Sequence, residues 1–147
     1  MLYEATVETG VKVHKGGSLI TIEGPRFSTK AESNLFRSWG MSIIGMTTSP
    51  EVFLAREAEI CYAAFSHVTD YDVWHISEES VNVDMILKVL KKNGEIANQT
   101  IVNLVNRYEV SDCECQHALK YALTSSPSYI DPVQKEKLSI LVNKYLS

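Results

Sequence analysis

The stretch Ser18-Leu19-Ile20-Thr21-Ile22-Glu23-Gly24-Pro25-Arg26-Phe27-Ser28, continued to Trp39-Gly40-Met41-Ser42-Ile43-Ile44-Gly45-Met46, decides the fold class. Residues 18–22 read as a short strand that Gly24-Pro25 ends. Residues 31–39 read as a helix with Leu35, Phe36 and Trp39 at core spacing. Gly40 follows at the position where a left-handed residue closes a helix. Residues 41–46 then read as a second strand, so the unit alternates strand, helix and strand as α/β proteins do.

Working outward, Ser49-Pro50-Glu51 is a helix start: a hydroxyl at the cap, proline at the first helical position and an acid in the first turn. That helix is expected over 50–57, and a third strand over 60–68. The third strand delivers Thr69-Asp70-Tyr71-Asp72; if the backbone stays extended, Asp70 and Asp72 share one side and Tyr71 takes the other. Two carboxylates so placed either cap a turn or meet a ligand rich in hydrogen-bond donors.

Beyond the tetrad the texture is helical. Val81, Val83, Met85, Ile86, Leu87, Val89 and Leu90, then Ile96, Ile101, Leu104 and Val105, form a long amphipathic series read as core packing, with a break or kink expected near Asn93-Gly94. Short helices over 116–123 and 133–146 close the chain. Three strands are few for an open sheet covered on both faces, so either another chain pairs at the edges or part of the domain lies elsewhere.

Over 147 residues the chain is 45% hydrophobic and 22% charged, with a formal net charge of −4. That balance suggests a globular domain without a basic nucleic-acid surface, and a length that usually forms one domain. No apolar run is long enough to span a bilayer, and residues 1–15 carry Glu4 and Glu8 with no continuous apolar core, so a cytoplasmic protein without membrane partners is expected. Cys61 reads as a small core residue. Cys113-Glu114-Cys115 reads as two ordinary thiols, with a strained disulfide, or a metal site completed by His117, as the alternatives; no metal is assigned.

Chemistry is expected in the loops that follow strands. In Glu23 to Ser28, Phe27 could line a flat ring or simply sit in the core. In Met46-Thr47-Thr48-Ser49-Pro50-Glu51, hydroxyls and free amides at a helix start suit phosphate, or serve as plain caps. The acidic tetrad is the third loop.

Together these runs, with Ala31-Glu32-Ser33 and the stretch from Ala64 to Trp74, resemble the C-terminal half of the S-methyl-5′-thioadenosine phosphorylases, within the trimeric purine nucleoside phosphorylase family. The likeness is strongest over 16–108, and 109–147 form a helical tail. The resemblance implies the C-terminal half of a phosphorylase/hydrolase-like three-layer α/β/α fold with a mixed sheet, followed by C-terminal helices. It also implies phosphorolysis of S-methyl-5′-thioadenosine to adenine and methylthioribose 1-phosphate, with inorganic phosphate as co-substrate, no further cofactor, and a homotrimer as the full-length assembly.

Roles carry over by position. Asp70 is the expected catalytic acid at N7 of the base, assisted by Asp72; a raised pKa, from burial and the neighbouring carboxylate, is what that role needs. Phe27 stacks on the base, Met46 packs beneath ribose and base, and Thr69, Asp70, Tyr71 and Asp72 line the base. Thr47 binds phosphate. Val83, Ile86 and Leu87 resemble the apolar pocket for a 5′-methylthio group. Ser28 and Val83 set specificity, since relatives acting on 6-oxopurines have Glu in place of Ser28 and Asn in place of Asp70, which favours a 6-aminopurine here. The family's preceding half, with its phosphate loop and Arg-His pair, has no counterpart in these residues, and His14 lies in the wrong part of the pattern to replace it. Activity of this chain alone is therefore doubtful; the alternatives are a purine nucleoside phosphorylase of other specificity, or a non-catalytic remnant or split subunit that binds a partner chain.

Overall fold

The computed structural model describes residues 1–75 and 83–146. In chain order the elements are α1 (Leu2–Val7), β1 (Leu19–Thr21), α2 (Lys30–Ser38), β2 (Ile43–Gly45), α3 (Thr48–Glu57) and α4 (Val83–Arg107), then 3-10 turns at Glu114–His117 and Pro127–Tyr129, then α5 (Pro132–Lys137) and α6 (Ser139–Leu146). They form two compact units, one of Met1–Thr47 with Ala64–Glu109, the other of Thr48–Ala63 with Val110–Ser147.

In the first unit β1 and β2 pair in parallel, with Leu19 opposite Ile43, Ile20 opposite Ile44 and Thr21 opposite Gly45. Parallel neighbours need a crossover, and α2 is that crossover. Ser42 seals the start of the pair: its N–H donates to the Ser18 carbonyl at 2.8 Å, and its hydroxyl accepts from Ser18 N–H at 3.2 Å. The chain comes so close there that a Cβ on Gly17, whose φ is +109°, would lie 2.8 Å from Ser42 Oγ. Thr29 caps α2 with Glu32 as its reciprocal partner, and Gly40 takes φ +77° just beyond the helix, so both helix ends fall where the sequence puts them.

The expected core of α2 is not assembled among the described residues. Leu35 and Trp39 are exposed, Trp39 to 58%, while Ser33 is buried. A helix hides its apolar stripe only against another layer, and the described residues of this unit place none there. The third strand is also not formed among the described residues: residues 60–68 have no hydrogen-bonded ladder, because a strand exists only through a neighbour, and among the described residues β1 and β2 pair with each other alone.

Helix α4 runs unbroken through Asn93 and Gly94, against the expected break. One glycine costs a helix only about 1 kcal/mol relative to alanine, too little to end 25 residues of helix. It packs on α1, where Ala5, Thr6 and Thr100 are buried and Asn103 Nδ2 donates to the Ala5 carbonyl at 3.0 Å. Arg107 and Glu8 form an ion pair along the same seam. The sequence had left α1 unassigned. Of the apolar series read as core, Leu87, Leu90, Ile101 and Val105 are exposed, and Val81 lies outside the described residues, as do the side chains of Val83, Met85 and Ile86.

In the second unit, Ser49 is extended (φ −100°, ψ 129°) before Pro50, as a residue preceding proline should be, and the helical backbone of α3 proceeds from there. Asp131 caps α5, accepting from Val133 N–H at 2.8 Å. The expected helix over 133–146 is split at Leu138, whose φ/ψ of −96°/8° leaves the helical region, and the one over 116–123 is reduced to a 3-10 turn. Val142 and Leu146 are the buried apolar side chains here. No helix of the described residues is long and apolar enough to cross a membrane.

Two glycines should therefore respond in opposite senses. A Cβ on Gly94 meets nothing within 4 Å, so Gly94→Ala should raise stability by about 0.5–1 kcal/mol. Gly17→Ala should lower it by about 1–3 kcal/mol through its positive φ and the Ser42 clash. Urea midpoints measure both, and a destabilised Gly94→Ala would contradict the continuous helix.

Candidate functional site

The loop from β1 to α2 is fixed by one carboxylate. Glu32 receives Arg26 Nη1 at 2.9 Å and Nη2 at 2.7 Å, Thr29 N–H at 2.7 Å and the Thr29 hydroxyl at 2.9 Å. The Arg26 guanidinium, then the Thr29 donors, hold the Glu32 carboxyl down at about 2. Arg26 Nη1 also donates to the Phe27 carbonyl at 3.1 Å, so the segment carrying Phe27 and Ser28 is laced to the first turn of α2. Glu23, Gly24, Pro25 and Arg26 line an open hollow at the mouth of this loop.

Beside it lies the bend after β2. A Cβ on Gly24 would stand 3.1 Å from Met46 Sδ, a tight contact that the thioether would have to yield to, so the two loops run close together. Thr47 is exposed on the same bend, and the Phe27 ring is 82% exposed.

The acidic tetrad belongs to the same unit, but not as an extended strand mouth. The chain bends at Asp70 and turns at Val73-Trp74, with His75 N–H donating to the Asp72 carbonyl at 3.0 Å. The extended alternation that would put Asp70 and Asp72 on one side is therefore not met. Their surroundings differ instead. Asp72 is half-buried; its carboxylate accepts from the buried Ser28 hydroxyl at 3.2 and 3.3 Å, and from Val73 N–H at 2.8 Å. Asp70 is exposed, so the burial expected around it is not met among the described residues, and it accepts from the Thr69 hydroxyl at 2.7 Å.

Aromatic contacts hold the turn after the tetrad. Tyr71 stacks on His75 with centroids 4.5 Å apart, Trp74 meets both edge-on, and the Arg37 guanidinium of α2 lies 3.8 Å above the Trp74 ring. Helix α2 thus supports both loops, through Glu32 on one side and Arg37 on the other. Of the remaining residues read from the sequence, Leu87 is exposed on α4, whereas the side chains of Val83 and Ile86 fall outside the described residues.

Three groups escaped the sequence reading: the Arg26 clamp, the Ser28–Asp72 bond and the Arg37 support. The first had a local signal, the Thr-x-x-Glu capping pattern of Thr29 and Glu32 with an arginine just upstream. The others join residues distant in sequence, and only the folded chain reveals them. Cys61, expected in the core, is exposed.

The chain is similar to known proteins over nearly its whole length. The profile of the Phosphorylase superfamily matches residues 1–106. The S-methyl-5′-thioadenosine phosphorylase of Geobacter sulfurreducens is 47% identical over 99% of this chain and 51% of its own length, and that of Chloroflexus aurantiacus 43% identical over 100% of this chain and 51% of its own. A crystal structure of a methylthioadenosine phosphorylase from an antarctic soil metagenomic library superposes with a TM-score of 0.84 at 35% identity, over 96% of this chain and 51% of that one. The Schistosoma mansoni methylthioadenosine phosphorylase in complex with adenine gives a TM-score of 0.62 at 34% identity, over 74% of this chain and 44% of that one. The chain spans about half the length of the curated relatives it matches.

The Glu32 clamp carries a pH signature. Its carboxyl sits near 2 in the folded chain against 4.5 ordinarily, so its contribution to stability is present above about pH 4.5 and is lost as pH falls toward 2. Stability curves measured from pH 6 to 2 should show Glu32→Gln losing part of the wild-type acid dependence. Identical slopes for wild type and variant would remove Glu32 as the group that fixes this loop.

Proposed function

The chain belongs to the Phosphorylase superfamily, and on that premise we propose that it supplies the purine and ribose side of a phosphorylase acting on S-methyl-5′-thioadenosine, in the three-layer α/β/α fold with a mixed sheet. The observation that carries the reading is the Ser28–Asp72 hydrogen bond, which ties the Phe27 loop to the acidic tetrad across 44 residues of sequence. The bond brings Ser28 and Asp72, two of the residues assigned to the substrate, together within one unit.

The reaction exchanges one bond for another. A phosphate oxygen attacks C1′, the bond from C1′ to N9 breaks, and adenine departs with the bonding pair. A proton delivered to N7 stabilises the departing base. Asp70 is the donor: one carboxyl oxygen, protonated, gives its hydrogen to N7, and the other accepts from the exocyclic amine. A 6-oxopurine offers no hydrogen at that position and sets an acceptor against an acceptor. Asp72, already occupied by Ser28 and Val73 N–H, shapes the turn that presents Asp70. Phe27 stacks on the ring, Tyr71 and Thr69 border it, and Met46 forms a soft bed beneath the ribose. Val83, Ile86 and Leu87 take the methylthio group, where a 5′-hydroxyl would lack a polar partner.

Thr47 is the contribution to phosphate among these residues, and the remaining phosphate ligands come from polypeptide beyond them, in a homotrimer of complete subunits. No cofactor other than phosphate is used. The exposed apolar faces of α2 and α4 support this division, since packed layers elsewhere in such a protein would cover them.

Two measurements follow. With its phosphate side incomplete, the chain alone should release adenine from methylthioadenosine and phosphate at least about 10²-fold more slowly than a form completed with the preceding half of a relative. Equal rates would refute the division. In the completed form, Asp70→Asn should shift the kcat/KM ratio of 6-amino over 6-oxo nucleosides by about tenfold or more toward the oxo substrate, while Val83→Asp should depress methylthioadenosine use more than adenosine use. Unchanged selectivity in Asp70→Asn would take the base away from Asp70.

A further inference from the structure

The second unit holds a constellation that the phosphorolysis reading does not use. The Sγ atoms of Cys61, Cys113 and Cys115 all lie within 4.8 Å of one another, and those of Cys61 and Cys113 are 2.9 Å apart. All three are free thiols, Cys61 exposed and the other two half-buried. The sequence placed the second and third side by side but gave no reason to join them to a cysteine 52 residues earlier. His117, the third ligand considered there, pairs instead with Asp112 at 3.8 Å.

We propose that Cys61, Cys113 and Cys115 bind one thiophilic metal ion, Zn²⁺ or Cu⁺, as a three-sulfur site that staples the segment after α3 to the C-terminal tail. The spacing suits this. Metal–sulfur bonds of about 2.3 Å in tetrahedral geometry set sulfurs about 3.8 Å apart, beyond the 2.9 Å of the Cys61–Cys113 pair and inside the 4.8 Å that bounds the cluster, so shifts of about 1 Å close the site. Three thiolates satisfy a trigonal Cu⁺, and with one exogenous water they complete Zn²⁺; both ions favour soft sulfur. Each thiol enters as thiolate and gives its proton to solvent.

The site is held in place before any ion arrives. Glu59, two residues before Cys61, accepts from Lys144 Nζ at 2.9 Å, from Leu119 N–H at 3.1 Å and from the Tyr145 hydroxyl. Those contacts pin the Cys61 segment to the tail that carries Cys113 and Cys115. A staple also suits the unit energetically, because Val142 and Leu146 are its buried apolar side chains and a metal supplies folding free energy that a small core does not.

The test uses the full chain, reduced and kept free of oxygen, titrated with Zn²⁺ against a chromophoric chelator and separately with Cu⁺ against a bicinchoninate competitor. One equivalent of at least one ion should bind, and Cys61→Ser, Cys113→Ser and Cys115→Ser should each weaken it at least tenfold; the arm that retains its ion identifies the metal. Failure of both ions to compete, or binding that Cys61→Ser leaves unchanged, overturns the proposal. Should a serine variant fail to fold, the wild-type Co²⁺ spectrum decides. Thiolate-to-cobalt charge transfer of three-sulfur intensity supports the site, and the intensity of two sulfurs or fewer refutes it.

Discussion

The Glu32 carboxylate is the point on which the first unit turns. It sits in the first turn of the crossover helix, where acceptors are favoured by the exposed amides, and it gathers Arg26 and both Thr29 donors. Start of helix, exit of strand and course of the intervening loop are therefore set by one group. Remove its charge and the capping box of α2 loses its reciprocal half, while Arg26 loses the partner that holds it against the Phe27 carbonyl. The position of Ser28, and with it the bond to Asp72, depends on that loop keeping its course. The far side of the site has a similar support, since Arg37 on the same helix lies over Trp74.

Local signals in the sequence translated well into structure, and non-local ones poorly, for a physical reason. The close of α2 at Gly40, the extended Ser49 before Pro50, and the two strands around the crossover all depend on neighbours within a few residues. The strand expected over 60–68 needed a ladder partner, and the stripe of Leu35 and Trp39 needed a facing layer. Neither is supplied by the described residues, so the apolar pattern is present without the packing it is written for. Gly94 misled in the opposite direction. Its intrinsic penalty is real but small beside the many favourable residues on either side of it.

The candidate site was legible in the same uneven way. Phe27, Ser28, Met46 and the tetrad could be picked out one by one, and the fold assigns them to a single unit. What the residues could not reveal was which of them touch. Ser28 was read as a specificity position alone, yet its hydroxyl is buried against a carboxylate, an arrangement that fixes the geometry of the tetrad whatever the ligand. Cys61 gives the sharper case. As a lone thiol in an apolar run it suggested core, and its neighbourhood with Cys113 and Cys115 arises from a chain reversal that Glu59 secures.

The two carboxylates of the tetrad, equivalent on paper, separate once their partners are counted. Asp72 shares the single Ser28 hydroxyl hydrogen between its two oxygens and also accepts from Val73 N–H, so it is tied to the protein by two donors. Asp70 has the Thr69 hydroxyl on one oxygen, and it stands in the open beside the bend. A group that must both donate to and accept from a purine edge needs lone pairs that the fold has not already claimed. On that ground Asp70 is the carboxylate assigned to the base in our proposal, and Asp72 is the one that ties the turn to Ser28. The bend at residue 70 is then what distinguishes them, because an extended strand would have offered both to the same surroundings.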